Sequence, residues 1–345
     1  MEPDFTLKAS VEQIIDSKIS NIVLLNPHSS SSHAVYHVIT QVTLNNPRPE
    51  IFILKILRTD EIRHSIFWHG LHLLFNKTPE DAIKSQRALA RYFNELHTIP
   101  APHIFKFDET SNNILKKPYV LMDEKRGQAI LKDSPEAEEF SHNGDIAYQL
   151  GLFLGQVHSQ NFEYFGNMSG SGEALTHFPH RFAETIRHLG HAPRAKQNID
   201  VQRLLPYYID AAEKMPVPEQ ACPIALDLWP NQFLMGTNNI QALVDLDSYV
   251  IGPPGLELSL IELWLQKKQA FEEGYLSHGD IWPNFEQEHH IYRFFLYLLY
   301  DCPEAGLHAC LNAKGFDSQG HAVKSRIQAP RPRPGSYSNP RGPGF

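Results

Sequence analysis

The stretch from Ile224 to Asp247 constrains this chain more than any other. Ile224-Ala225-Leu226-Asp227-Leu228-Trp229-Pro230-Asn231-Gln232 leads into the apolar run Phe233-Leu234-Met235. Gly236-Thr237-Asn238-Asn239 then supplies a turn before a second apolar run, Ala242-Leu243-Val244, which ends on Asp245-Leu246-Asp247. Two short apolar runs around such a turn read as a hairpin. A hairpin folds the chain back, so Asp245 is expected beside the loop that carries Asp227. Two carboxylates on neighbouring loops, with the amide of Asn231 or Gln232 close by, suit a base-plus-metal site. Magnesium takes a few hard oxygen ligands and leaves its other positions to water and phosphate.

The order of elements sets the fold class. Residues 11–18 read as a short helix, Ala34 to Leu44 as a strand, and Ile51 to Leu57 as a second strand across the turn Asn45-Asn46-Pro47-Arg48-Pro49. Thr78, Pro79, Glu80 and Asp81 start a helix whose apolar face runs Ile83, Gln86, Ala90, Phe93. Pro118 to Asp123 is another strand. Beyond Asp145 the pattern is mainly helical, at 146–157, 200–214, 256–274 and 291–300, apart from the hairpin. Strands first and helices later, in 345 residues of which 42% are hydrophobic, predict an α+β protein with a small N-terminal lobe and a larger helical one. The expected divisions are a nucleotide-binding lobe over 1–125, a helical lobe over 126–316 and a tail over 317–345. The tail holds five prolines, four glycines and five basic residues against one acid, and is expected to be disordered.

Taken together, these segments resemble the aminoglycoside phosphotransferases and the related choline-kinase-like small-molecule kinases, whose fold is protein-kinase-like and bilobal. The family's catalytic loop reads H-G-D-L-x-P-x-N, followed by a hairpin and an acidic segment. The step of 18 from Asp227 to Asp245 is the family's usual spacing. The serine run to Ser31 and Ser32, followed by His33-Ala34-Val35-Tyr36, is similar to the phosphate loop, and Lys55 to the strand lysine that meets ATP phosphates. Ile99-Pro100-Ala101-Pro102 and the hinge-like Tyr119-Val120-Leu121-Met122-Asp123-Glu124 keep the family order. So do Gly151 to His158 and Ile251 to Leu258, with Glu257 in the final acidic position. The resemblance covers roughly residues 15–300. It implies an ATP- and magnesium-dependent transfer of phosphate to the hydroxyl of a small-molecule acceptor. Asp227 would serve as base or orienter, and Asp245 with Gln232 or Asn231 would hold metal. Lys55, Ser31, Ser32 and Gln86 would serve the nucleotide phosphates, and the chain at Met122, Asp123 and Glu124 would meet adenine. Asp247 would assist Asp245, or else Asp247, Glu257 and Glu262 are solvated charges or an acidic lining for an amine.

Four positions depart from the pattern. Ala225 replaces a loop histidine, Gln232 replaces a metal-binding asparagine, Gln86 replaces the helix glutamate that would pair with Lys55, and Pro253 replaces an acid. A catalytically impaired kinase-fold binding protein is therefore the alternative. Ser277-His278-Gly279-Asp280-Ile281-Trp282-Pro283 has the wording of the catalytic loop, yet 18 residues on stands Leu298. It is read as a surface loop.

A net charge of −8 argues against nucleic acid as a partner. Three cysteines without a C-x-x-C pair argue against a disulfide framework or a zinc site and suit a cytoplasmic protein. The apolar run Phe294 to Tyr300 is too short to cross a membrane. Nothing in the sequence points to a partner protein.

Overall fold

The computed structural model describes residues 5–26, 32–42, 48–62, 64–131, 134–277, 283, 285 and 288–316. The first part of the chain forms α1 (Phe5–Ile15), β1 (Ile19–Leu24), β2 (His33–Thr40), β3 (Ile51–Leu57), α2 (Thr59–Ile62), α3 (Ile66–Phe75), α4 (Pro79–Leu96), β4 (Ile104–Asp108) and β5 (Tyr119–Asp123). The five strands make one antiparallel sheet in the order β1-β2-β3-β5-β4. Side chains alternate across it. Leu54, Ile56, Tyr119 and Leu121 face one way and pack on Val11 and Ile14 of α1. Leu57, Val120, Met122 and Ile104 face the other way and join Ala82, Ile83 and Phe93 of α4 in the main core. Lys55 shares β3 with these apolar residues, paired across the sheet with Val35 and Val120.

α4 begins as its residues dictate. The Thr78 hydroxyl accepts from the Asp81 amide at 3.2 Å, and the Asp81 carboxylate accepts from the Thr78 amide at 3.1 Å, a capping box closed by Pro79 in the first turn.

The larger lobe contains β6 (Gln128–Ala129), α5 (Pro135–His142), α6 (Gly144–His158), β7 (Tyr164–Gly166), β8 (Gly172–Ala174), α7 (Phe178–Gly190), α8 (Pro193–Gln197) and α9 (Ile199–Glu213). After these come β9 (Cys222–Ala225), β10 (Phe233–Met235), β11 (Ile240–Leu243), β12 (Tyr249–Gly252), α10 (Pro254–Trp264), α11 (Lys268–Leu276), α12 (His289–Leu299) and α13 (Leu307–Leu311). The hairpin is present: β10 pairs β11 with Phe233 opposite Leu243, and β6 adds on its other side. β9 pairs β12, with Ile224 opposite Val250. Helices α6 and α11 cross closely through glycines. A Cβ on Gly151 would stand 2.0 Å from the Phe271 carbonyl oxygen, and one on Gly274 2.1 Å from that of Tyr148.

Several elements differ from the sequence reading. The first helix starts earlier, at Phe5, because Leu7, Val11 and Ile14 already carry its inner face. The single helix expected over 256–274 is two, α10 and α11, since Leu265 is extended where the indole N–H of Trp264 is drawn onto the Leu228 carbonyl at 3.1 Å. Helix α3 lies where the sequence reading places no element. It carries a Ser65 N-cap and packs its Gly70 against Leu299 and Leu189 of α12 and α7, so a helix that follows β3 is embedded in the larger lobe. The expected tail at 317–345 and most of the 277–285 segment, His278 to Trp282 and Asn284, lie outside the described residues.

Candidate active site

A cavity of about 340 Å³ lies where β2, β3, α3, the β9–β10 loop and the chain after β11 meet. Lys55, Asp227, Asn231, Gln232, Asp245 and Asp247 line it together with Ser32, His33, Ser65, Phe67, Trp68 and Tyr300. The hairpin brings its two ends together through backbone as well as side chains: the Val244 amide donates to the Gln232 carbonyl at 2.9 Å. The Gln232 side-chain amide donates to Asp227 Oδ2 at 3.1 Å.

Lys55 is buried, and its ammonium meets Asp245 Oδ1 at 3.0 Å and the Val244 carbonyl at 3.2 Å. Burial alone would lower its pKa, but the charges of Asp245 and Asp247 outweigh it and hold the pKa above the ordinary lysine value. The two carboxylates behave differently. Burial and the repelling Asp247 charge push Asp245 up, against the pull of Lys55 and His33. Asp247 is driven below the usual carboxylate range in spite of burial, because the His33 ring and Lys55 favour its ionised form. Asp245, with 34% of its side chain exposed, is thus the carboxylate that a further cation would relieve.

Asp227 acts on Tyr300. Burial and the Asp227 charge push that phenol well above its ordinary pKa, so it stays protonated, and its O–H donates to the Leu226 carbonyl. Tyr300 in turn stacks with Phe67 of α3 at 6.0 Å and meets Trp229 edge-on at 5.5 Å.

The catalytic-type loop is braced from below. Glu257 is fully buried; its Oε1 accepts from the Ala225 amide at 2.6 Å, and its Oε2 lies 2.7 Å from His158 Nε2. His158 Nδ1 sits 3.0 Å from the Tyr275 hydroxyl. Glu257 therefore does not line the cavity; it ties α6 and α10 to the strand that delivers Asp227. Glu262 is also placed away from it. Its carboxylate pairs with Arg293 at 2.7 Å and accepts from the Phe316 amide at 2.9 Å, both side chains being buried. Neither glutamate is a solvated charge or an acidic pocket wall.

Other expected positions divide in the same way. Ser32 reaches the cavity, and Ser31 lies outside the described residues. Gln86 is buried but does not meet Lys55; its side-chain amide donates to Asp247. Met122 is core. The Asp123 amide is used by the sheet edge, donating to the His103 carbonyl at 3.0 Å, while the Asp123 carboxylate meets Lys125 at 3.0 Å. Glu124 meets His37 at 2.9 Å. The sequence reading missed His33, Tyr300 and the α3 residues. For α3 the signal was present, a serine followed by Trp68, Leu71, Leu74 and Phe75 at helical steps. For His33 and Tyr300 no local signal distinguishes them from core residues.

Magnesium is tested by the donor set. Among the described residues no group of three or more His, Cys, Asp or Glu side chains forms a metal cage. Asp245, Gln232, Asn231 and Asp227 nevertheless offer carboxylate and amide oxygens around one cavity, the hard donors that suit an ion completing its shell with phosphate and water. A second cavity of about 470 Å³, walled by Trp229, Trp264, Glu138 and Ser134, adjoins the first at Asn231.

A family model described as the phosphotransferase enzyme family matches residues 27–287. Among solved structures, the chain is similar to the macrolide 2′-phosphotransferase MphH from Brachybacterium faecium, with 12% identity and a TM-score of 0.52 over 89% of this chain and 97% of that one. It is also similar to a thermostable mutant of aminoglycoside phosphotransferase APH(4)-Ia, solved with AMP-PNP and hygromycin B. There the identity is 16% and the TM-score 0.57, over 88% of this chain and 96% of that one. At these identities the structural likeness speaks for the protein-kinase-like bilobal fold. No curated protein sequence matches the chain.

Proposed function

The chain belongs to the phosphotransferase enzyme family, and on that premise we propose that it transfers phosphate from ATP, with magnesium, to a hydroxyl of a small-molecule acceptor. One observation carries the proposal. Lys55 from β3, Asp227 from the β9–β10 loop and Asp245 from beyond β11 converge on a single cavity, though 190 residues separate Lys55 from Asp245.

Phosphoryl transfer asks a protein chiefly for positioning and charge neutralisation. Asp227, oriented by Gln232, receives or aligns the acceptor hydroxyl. Lys55 meets the transferred phosphate. Asp245 and the Gln232 amide oxygen, with Asn231, hold magnesium, which would neutralise phosphate charge when bound. Asp247 serves from behind them. The chain after β5 at Glu124 and Lys125, rather than the Asp123 amide, faces adenine. The aromatic face of Phe67, Trp68 and Tyr300, together with Ser65, borders the acceptor. Three free cysteines support a reducing compartment. Among the described residues no helix is long and apolar enough to cross a membrane.

The test is a panel of amino-alcohols, sugars and aminoglycosides with radiolabelled Mg-ATP, with Asp227→Asn as control. Transfer that disappears in Asp227→Asn supports the enzyme. Thermal stabilisation by Mg-ATP without transfer to any acceptor supports instead a kinase-fold binding protein, the reading favoured by Ala225. Absence of both stabilisation by Mg-ATP and its consumption refutes nucleotide chemistry at this site.

A further inference from the structure

In the resemblance set out above, a helix glutamate would grip Lys55. Here that position is Gln86, and its amide donates to Asp247 Oδ1, on a residue 161 positions away. The other oxygen of Asp247 lies 3.0 Å from His33 Nδ1, at the first residue of β2. The Ser32 hydroxyl stands 2.9 Å from the same ring nitrogen. All three members are enclosed, with exposures of 3% for His33, 6% for Asp247 and 1% for Gln86. Behind them the fully buried Lys77 fixes the next strand, donating to the Tyr249 carbonyl at 3.0 Å.

A buried carboxylate persists only when its oxygens are engaged by donors or cations. Asp247 has one oxygen on the phosphate-loop side of the small lobe and the other on α4. Through the backbone it also fixes Asp245 two residues away, whose carboxylate accepts from the Asp247 amide at 3.3 Å. Lys55 takes its place from Asp245 and Val244, both on this segment. A carboxylate at position 86 would face Asp247 rather than Lys55, placing two buried anions in contact.

We propose that His33 and Gln86 are positioning residues that hold Asp247, and through it Asp245 and Lys55, in place of a lysine–glutamate pair. This rests on the phosphotransfer reading. It also reverses the expectation the resemblance would give. Gln86→Glu, which restores the family's residue, impairs the site instead of repairing it.

The experiment measures Mg-ATP turnover to ADP, ATP binding without magnesium, and melting temperature. It covers the wild type, Gln86→Glu, His33→Ala, His33→Gln, and Gln86→Glu combined with Asp247→Asn. Gln86→Glu and His33→Ala should raise the magnesium concentration for half-maximal turnover at least tenfold, with magnesium-free ATP binding within about twofold. His33→Gln, which can still donate to Asp247, should recover most of the loss. Gln86→Glu should melt below the wild type, and adding Asp247→Asn should return the melting temperature. Turnover in Gln86→Glu equal to or above the wild type overturns the proposal, as does a double variant that melts no higher than Gln86→Glu. A loss confined to melting temperature, with the magnesium dependence unchanged, also overturns it, leaving a structural role alone. If the wild type neither binds nor turns over Mg-ATP, the phosphotransfer reading fails first. The melting comparison then still decides whether position 86 faces Asp247.

Discussion

Glu257→Ala should be among the most damaging single substitutions in this protein. Glu257 is fully buried, with one oxygen on the Ala225 amide at 2.6 Å and the other on His158 at 2.7 Å. A hydrogen bond to a charged group contributes about 1.5–3 kcal/mol. Removing one partner of a buried pair strands the other, at a cost of about 3–5 kcal/mol. Taking that range, and about 2–4 °C per kcal/mol for a large domain, the melting temperature should fall by roughly 10 °C. Glu257→Gln keeps an acceptor for Ala225 and a donor for His158 and should lose about half as much. Thermal melts followed by circular dichroism read both variants. The cycle with His158→Ala should be strongly non-additive, because each partner exists to satisfy the other. Ala225 lies two residues before Asp227, so the same variant should lower turnover at saturating ATP. A Glu257→Ala protein melting within 2 °C of the wild type, on the scale set above, or strictly additive losses with His158→Ala, would refute this account of the brace.

Other perturbations test other parts of the fold. Gly151→Ala forces a Cβ onto the Phe271 carbonyl and should destabilise by about 1–3 kcal/mol, read by urea denaturation; an unchanged midpoint would show that α6 and α11 separate at little cost. Arg293→Met removes the partner of Glu262 and the donors to the Leu311 and Ala313 carbonyls, and should cost about 3–5 kcal/mol while exposing the segment 311–316 to limited proteolysis. Lys77 is pushed down by burial to about 8, against Asp247 and Asp81, while an unfolded lysine titrates near 10.5. Between those values the unfolded chain holds a proton that the native state has shed, so this group adds stability as pH rises from about 8 to 10.5, by up to about 3 kcal/mol. Lys77→Met should abolish that increment, and identical slopes of stability against pH in the two proteins would refute it.

Local chemistry announced much of this architecture. Thr78-Pro79-Glu80-Asp81 specifies a helix start that needs no tertiary help, and α4 begins there. The turn at Gly236 to Asn239 between two apolar runs specifies the hairpin, and with it the approach of Asp245 to the Gln232 loop. What stayed hidden depends on distant partners. Glu257 and Glu262 look alike in sequence, two acids five apart on one helix, yet one binds a strand amide and the other an arginine from α12. Gln86 was legible as inward-facing from its place in an apolar stripe, but its contact with Asp247 could not be, since the two residues lie on elements joined only by the complete fold. Helix α3 shows a different limit. Its cap and helical steps are readable despite Gly70 and two histidines, but its docking surface on α7 and α12 is written in residues more than a hundred positions away.

That docking has a mechanical consequence. In a two-lobed protein joined by a single hinge, the lobes swing apart at little cost. Here the chain leaves the small sheet at Leu57, embeds α3 among the large-lobe helices, and returns at once to α4 beneath the sheet. The Asn76 carbonyl at the end of α3 is further pinned by the Asn167 side chain at 3.2 Å. The chain between β3 and α3 and the chain between α3 and α4 thus tether the two lobes, in addition to the chain after β5. Any opening must stretch these tethers or pull Trp68, Leu71 and Phe75 out of the core. Separation of the lobes should therefore be geared to how fast α3 lets go of its place among the larger lobe's helices.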